Sequence, residues 1–225
     1  IELRKWLSPY KLSALSELPP LGQLYGMWGY ELINWIEPKV PVHDRSKNDP
    51  PDGVWMLMDN ILIFDQVKRV ITAVAYGDLT KTKSPQTAFE AALKSLNKLE
   101  NKMGLPLPEM EALKWHSFNS NSIKTKSNFS KVDFEEEVGK AKEHIAAGDI
   151  FQIVLSQRLE TEVQSQPFDL YRSLRMVNPS PYMAFFDFGD WQLIGSSPEV
   201  MVKAAPSPDG EKVLASLRPI AGTRP

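Results

Sequence analysis

The sequence predicts an α+β fold of antiparallel sheets with helices packed on them, and three observations carry that expectation. Apolar runs at 54–58, 61–64 and 70–76 are separated only by Asp59-Asn60 and 66–69, which is the pattern of an antiparallel meander. A second turn-linked pair, 182–188 and 191–194, is joined at Gly189-Asp190 as a hairpin. Two longer stretches, 84–104 and 130–148, repeat apolar residues at helical spacing between a hydroxyl residue and a glycine.

Taken in order, residues 1–20 form a short amphipathic piece closed by Pro19-Pro20. Gly22, Gly26 and Gly29 then lie among aromatic residues ahead of the apolar Leu32, Ile33, Trp35 and Ile36, and are expected to let a strand approach a helix closely. They do not match the G-x-G-x-x-G spacing of a phosphate loop. A proline-rich connection at 38–53 leads to the meander. Ser84-Pro85 starts the next helix, a hydroxyl cap with proline at the first helical position. Phe89, Ala92, Leu93, Leu96, Leu99 and Met103 are its expected buried stripe and Gly104 its end. These elements make an N-terminal α+β portion over 1–104.

Residues 105–129 read as a linker, because prolines followed by serines, asparagines and lysines bury little apolar surface. The second portion, 130–225, opens with a helix capped by Ser130 and stopped by Gly148, with Phe134, Val138, Ala141 and Ile145 as its stripe. Residues 149–160 read as a strand with Phe151, Ile153, Leu155 and Leu159 on one face and Gln152, Val154, Ser156 and Arg158 on the other. One face is core; the other lines a polar cleft or faces water. Pro167 opens a helix to about Val177, and Asn178-Pro179-Ser180-Pro181 makes a rigid loop before the hairpin. Strand-like residues 192–194 and 200–202 flank a bend, Gly195-Ser196-Ser197-Pro198, that presents Glu199 stiffly because Pro198 fixes its own φ and restricts Ser197. A turn at 206–210 and residues 212–217 lead to Arg218-Pro219-Ile220-Ala221-Gly222-Thr223-Arg224. The chain opens on Ile1 and stops at Pro225 in a loop-like run, so it reads as a piece of a longer protein.

Composition narrows the function. A net charge of −2 with interspersed signs offers no basic face for nucleic acid or for an anionic membrane. No apolar run approaches the roughly 20 residues that span a bilayer. Without cysteine there is no disulfide, thiol nucleophile or thiolate-bound metal, which fits a reducing compartment. No secretory signal opens the chain, so the Asn128-Phe129-Ser130 sequon reads as incidental. Small molecules or proteins are the expected partners.

Among chemistry-bearing residues, His43, His116 and His144 are far apart and show no H-x-x-x-H spacing, so no metal site is expected within this chain. The run from Gly195 to Glu199 lacks the final glycine of a nucleophile elbow, and no histidine follows it for a serine hydrolase. Gly222-Thr223-Arg224 offers an N–H, a hydroxyl and a guanidinium, a set suited to a carboxylate-bearing ligand. Glu199, read from its neighbours alone, is either a site carboxylate or a solvated one on an edge strand.

Four motifs occur in one order: GDIFQIVLSQR at 148–158, NPSPYM at 178–183, GSSPE at 195–199 and RPIAGTRP at 218–225. Together they closely resemble the chorismate-utilising enzyme family, and within it the component I branch of anthranilate synthase. GYELINWIEP and the meander resemble that family's N-terminal part. The resemblance implies a large two-sheet α/β sandwich of which this chain is a C-terminally truncated part. It implies that Glu199 is the general acid protonating the departing C4 hydroxyl of chorismate while ammonia attacks C2, in a water-poor cleft that keeps the carboxylic acid protonated. Gly222 and Thr223 match substrate-holding positions, and Pro181, Tyr182 and Met183 match a feedback site for tryptophan. Ala221 stands where the aminodeoxychorismate synthase branch usually carries a nucleophilic lysine, so free ammonia from a glutamine amidotransferase subunit is the implied nucleophile. That sister enzyme and a non-catalytic amino-acid-binding module are the alternatives. The family's Mg²⁺-binding glutamates and its proton-accepting histidine lie beyond Pro225, so the 225 residues alone are expected to be inactive and poorly folded after Ser130. The implied location is the cytoplasm, or the plastid stroma in a plant or alga.

Overall fold

The computed structural model describes residues 2–10, 22–42, 49–82, 84–107, 124–163, 165–207, 209 and 211–218. The chain divides into two compact units, 1–110 with 202–217 and 111–201 with 218–225. Of the expected linker, 108–123 lies outside the described residues. Elements are antiparallel strands and helices throughout, as the α+β expectation requires.

The first unit begins with helix α1 (Glu2–Leu7), after which Trp6 packs on Tyr10 at 5.6 Å. Strand β1 (Leu24–Trp28) pairs antiparallel with β2 (Gly53–Leu57), Leu24 facing Leu57 and Trp28 facing Gly53. A Cβ on Gly26 would sit 2.0 Å from Val54 O and 2.7 Å from Trp55 Cα. The close approach that Gly26 permits is therefore to a neighbouring strand, not to a helix as the sequence suggested. Opposite Gly53, the Trp28 ring occupies the space a side chain would take, and it meets Trp55 edge-on at 5.3 Å and Trp35 at 6.2 Å. A 3-10 turn (Tyr30–Leu32) and α2 (Ile33–Ile36) bring Trp35 to that contact.

The expected meander is split in two. β3 (Asn60–Asp65) pairs with β4 (Val70–Ala75), whereas β2 pairs back to β1. Main-chain bonds at the junction extend each pair by one residue: Met58 N donates to Gln23 O at 2.7 Å and Tyr76 N to Asp59 O at 3.0 Å.

Helix α3 (Pro85–Met103) starts as the sequence predicts, with the Ser84 hydroxyl accepting from Thr87 N at 3.3 Å, and ends at Gly104. Its buried line is shifted from the expected stripe. Ala88 is buried and Ala92, Leu96 and Leu99 are half-buried, while Phe89, Leu93 and Met103 are exposed. Small alanines let α3 lie close to the β3–β4 hairpin, and Ser95 Oγ donates to Asn60 Oδ1 at 2.9 Å across that contact.

Between β4 and α3 the Asp78 carboxylate accepts from the Thr80 hydroxyl and amide and lies 3.2 Å from Lys81 Nζ. The Thr80 hydroxyl bond above all holds its carboxyl below the ordinary range; desolvation, the second influence, opposes it, and the Thr80 amide and Lys81 add smaller lowering contributions. A depressed folded-state pKa makes this contribution to stability present above the unfolded value of 3.8 and lost as pH falls through the lower folded value. Urea midpoints of wild type and Asp78→Asn should accordingly differ above about pH 5 and approach each other only as pH falls through the lowered folded value. β9 (Lys203–Pro206) and β10 (Val213–Ser216) complete this unit as a hairpin, whose turn holds Ser207 hydroxyl against the Asp209 carboxylate.

In the second unit β5 (Lys126–Ser127) pairs with β6 (Leu159–Glu160). The strand expected over 149–160 is reduced to those last two residues, because no strand lies beside 151–158 among the described residues. Neither of its expected faces is core: Phe151 is 95% and Val154 82% exposed, and Leu155 is half-buried. Helix α4 (Lys131–Ala147) has the expected limits, Ser130 Oγ accepting from Asp133 N at 3.1 Å and Gly148 at φ 82°. Ala141 is buried and Phe134 and Val138 half-buried, but Ile145 is exposed. Gly148→Ala should cost about 1 kcal/mol, since the left-handed conformation strains any Cβ, and a lowered urea midpoint with unchanged slope would show it.

Helix α5 (Pro167–Val177) packs on the hairpin of β7 (Tyr182–Asp187) and β8 (Gln192–Ser197), with Phe168 and Tyr171 at 5.3 and 5.9 Å from Phe185. Gly189 at φ 90° turns the hairpin, and Asp187 Oδ1 accepts from Gly189 N at 3.0 Å and Gln192 Nε2 at 3.1 Å. Among the described residues only Ala88 and Ala141 are buried. No helix of the described residues is long and apolar enough to cross a membrane.

Candidate functional site

The hairpin decides which of the expected site residues meet. In register, Tyr182 pairs with Ser197 and Met183 with Ser196, so the NPSPYM loop runs alongside the start of GSSPE. Directly paired residues share a face of the ladder, which places Tyr182 with Ser197 on one side and Met183 with Ser196 on the other. Pro181 and Tyr182 are exposed and Met183 half-buried. Glu199 follows two residues after the ladder ends and is exposed.

The bend lies later than the sequence suggested. β8 continues through Gly195, Ser196 and Ser197, the chain turns at Pro198, and 200–202 is not a strand; regular pairing resumes only at Lys203. Pairing with Tyr182 and Met183 explains this, since main-chain bonds to β7 hold the two serines in extended form. Beyond the ladder, side chains take over. Ser196 Oγ donates to Asn178 O at 2.6 Å and Ser180 Oγ donates to Ser197 O at 2.8 Å. Ser197 Oγ donates to Glu199 O at 3.1 Å, and Glu199 N donates back to it at 3.5 Å.

The part of Ser180, Ser196 and Ser197 in holding this turn was missed by sequence reasoning. Their signal was present in the hydroxyls set between Pro179, Pro181 and Pro198, where prolines remove main-chain donors that hydroxyls can replace. Gly222, Thr223 and Ala221 lie outside the described residues, as do His43 and His116. His144 pairs through Nδ1 with Asp149 at 2.8 Å on the surface. Among the described residues no group of three His, Asp or Glu side chains could hold a metal ion.

A family profile described as chorismate binding enzyme matches residues 3–225. Anthranilate synthase component 1 of Synechocystis sp. is 53% identical over 217 residues, covering 94% of this chain and 42% of that protein. Anthranilate synthase alpha subunit 2, chloroplastic, of Oryza sativa subsp. japonica is 32% identical over 228 residues, covering 98% of this chain and 37% of its own length. The crystal structure of anthranilate synthase component I from Streptococcus pneumoniae matches with TM-score 0.69 and 35% identity, over 85% of this chain and 42% of that one. The chain thus spans about two fifths of the relatives it matches.

Proposed function

Because this chain belongs to the chorismate binding enzyme family, we propose that the protein carrying it is component I of an anthranilate synthase, converting chorismate and ammonia to anthranilate, pyruvate and water. The observation that carries the reading is the 53% identity to an anthranilate synthase component 1 across 94% of the chain. The hairpin geometry supports it by placing Glu199 on a braced turn two residues after Ser197, the partner of Tyr182.

In this reading Glu199 donates a proton to the C4 hydroxyl, which leaves as water while the ammonia nitrogen bonds to C2 and the ring double bonds shift. Loss of the C2 proton with pyruvate then makes the ring aromatic. A hydroxide would be a poor leaving group, so a positioned acid lowers the barrier. Gly222 and Thr223 are proposed to bind the substrate, and ammonia to come from a glutamine amidotransferase subunit. Pro181, Tyr182 and Met183 are proposed as one wall of a tryptophan site, where proline rigidity, an aromatic ring and a thioether suit an indole. The described residues do not fit a Mg²⁺ site, so Mg²⁺ is proposed to be held outside them and no step here is routed through it. Turnover is proposed to need more than these 225 residues, in the cytoplasm or the plastid stroma.

The test is the full-length gene product with chorismate, ammonium and Mg²⁺, followed by anthranilate fluorescence. Growing fluorescence supports the reading. Chorismate consumed without fluorescence, or not consumed, overturns it.

A further inference from the structure

The loop at 178–181 and the turn at 195–199 are joined by more than the β7–β8 ladder. Pro179 and Pro181 have no N–H, so the main chain of this loop cannot continue the ladder beyond Tyr182. Two hydroxyls bridge the gap from opposite sides: Ser180 reaches across to Ser197 O at 2.8 Å, and Ser196 reaches back to Asn178 O at 2.6 Å. Asn178 is itself anchored, since its N–H donates to Leu174 O at the end of α5. From Ser197 the hydroxyl continues to the main chain of Glu199. The result is a reciprocal strap from the end of α5, through the proline loop, to the residue that carries the carboxylate.

We propose that Ser180 and Ser196 are positioning residues for Glu199, which they hold through two crossed hydroxyl-to-carbonyl bonds that replace the donors missing at Pro179 and Pro181. This rests on the reading of Glu199 as the acid. Without the strap the ladder still forms, because its main-chain bonds do not need the hydroxyls, but the turn after Ser197 is released from the loop. A reacting group displaced by about 1 Å can lose up to about a hundredfold in rate while substrate still binds.

The experiment uses the full-length protein with chorismate, ammonium and Mg²⁺, comparing Ser196→Ala, Ser180→Ala, Ser196→Thr and Glu199→Gln. Each alanine variant should lose about tenfold in kcat with KM for chorismate held within about twofold, and Ser196→Thr, which keeps the hydroxyl and suits a strand, should restore most of kcat. A purely structural role would lower the amount of folded protein or its Tm without this split and without rescue by threonine. If Glu199→Gln abolishes turnover while both alanine variants keep wild-type kcat, the strap is overturned and the acid stands. If Glu199→Gln keeps full turnover, the acid assignment itself has failed, and the strap with it.

Discussion

Glu199→Gln in the full-length protein should lower anthranilate formation by about 10²- to 10⁴-fold, the usual contribution of a positioned general acid. Glutamine keeps the volume and the polarity of the side chain, and Glu199 sits after the ladder on an exposed turn. Fold and stability should therefore be little changed, and Tm should stay within about 2 °C of wild type. The amide cannot deliver a proton to a departing hydroxyl, so the loss should fall on kcat with KM for chorismate nearly constant. Retention of kcat within about threefold would remove Glu199 from the chemistry.

Gly26→Ala should be the most damaging single methyl group in the first unit. The added carbon would lie 2.0 Å from Val54 O, 2.7 Å from Trp55 Cα and 2.9 Å from Val54 C, all of them main chain. No rotamer change relieves such contacts, so β1 and β2 must separate or shift register, and overpacking of this kind costs about 3 kcal/mol or more. For a chain of this size that corresponds to a fall in Tm of roughly 6–12 °C. The Trp28–Trp55 contact at 5.3 Å lies across the same strand pair, so tryptophan emission should report the change along with the melting curve. Gly139→Ala is the control: nothing lies within 4 Å of its added Cβ, and an alanine in the middle of α4 should raise stability by up to about 1 kcal/mol. Equal melting of Gly26→Ala and wild type would show that β1 and β2 do not pack as closely as described.

What the sequence determined by itself was local. The limits of α3 and α4, the Ser84 and Ser130 caps, the left-handed stop at Gly148 and the turn at Gly189 were all legible. Each depends on a backbone preference or a hydrogen bond within a few residues, and such terms are written in consecutive letters. The proposals for Glu199 and for Pro181, Tyr182 and Met183 likewise rest on consecutive letters, through the family resemblance that NPSPYM and GSSPE carry.

Pairing and burial were decided only in three dimensions. Whether β2 would bond to β3 or back to β1 depends on segments some thirty residues apart in sequence, Leu24 against Leu57, and no local preference encodes that choice. The run at 151–158 has strand chemistry but no neighbour among the described residues, and a strand exists only as half of a pair. Helical spacing gave α3 a stripe through Phe89 and Leu93, yet the face that packs is the one whose alanines allow close approach. The strap at Glu199 follows the same rule. Its serines are visible in the sequence, but that Ser196 bonds to Asn178 and Ser180 to Ser197 depends on the register of β7 against β8, which the folded hairpin alone sets.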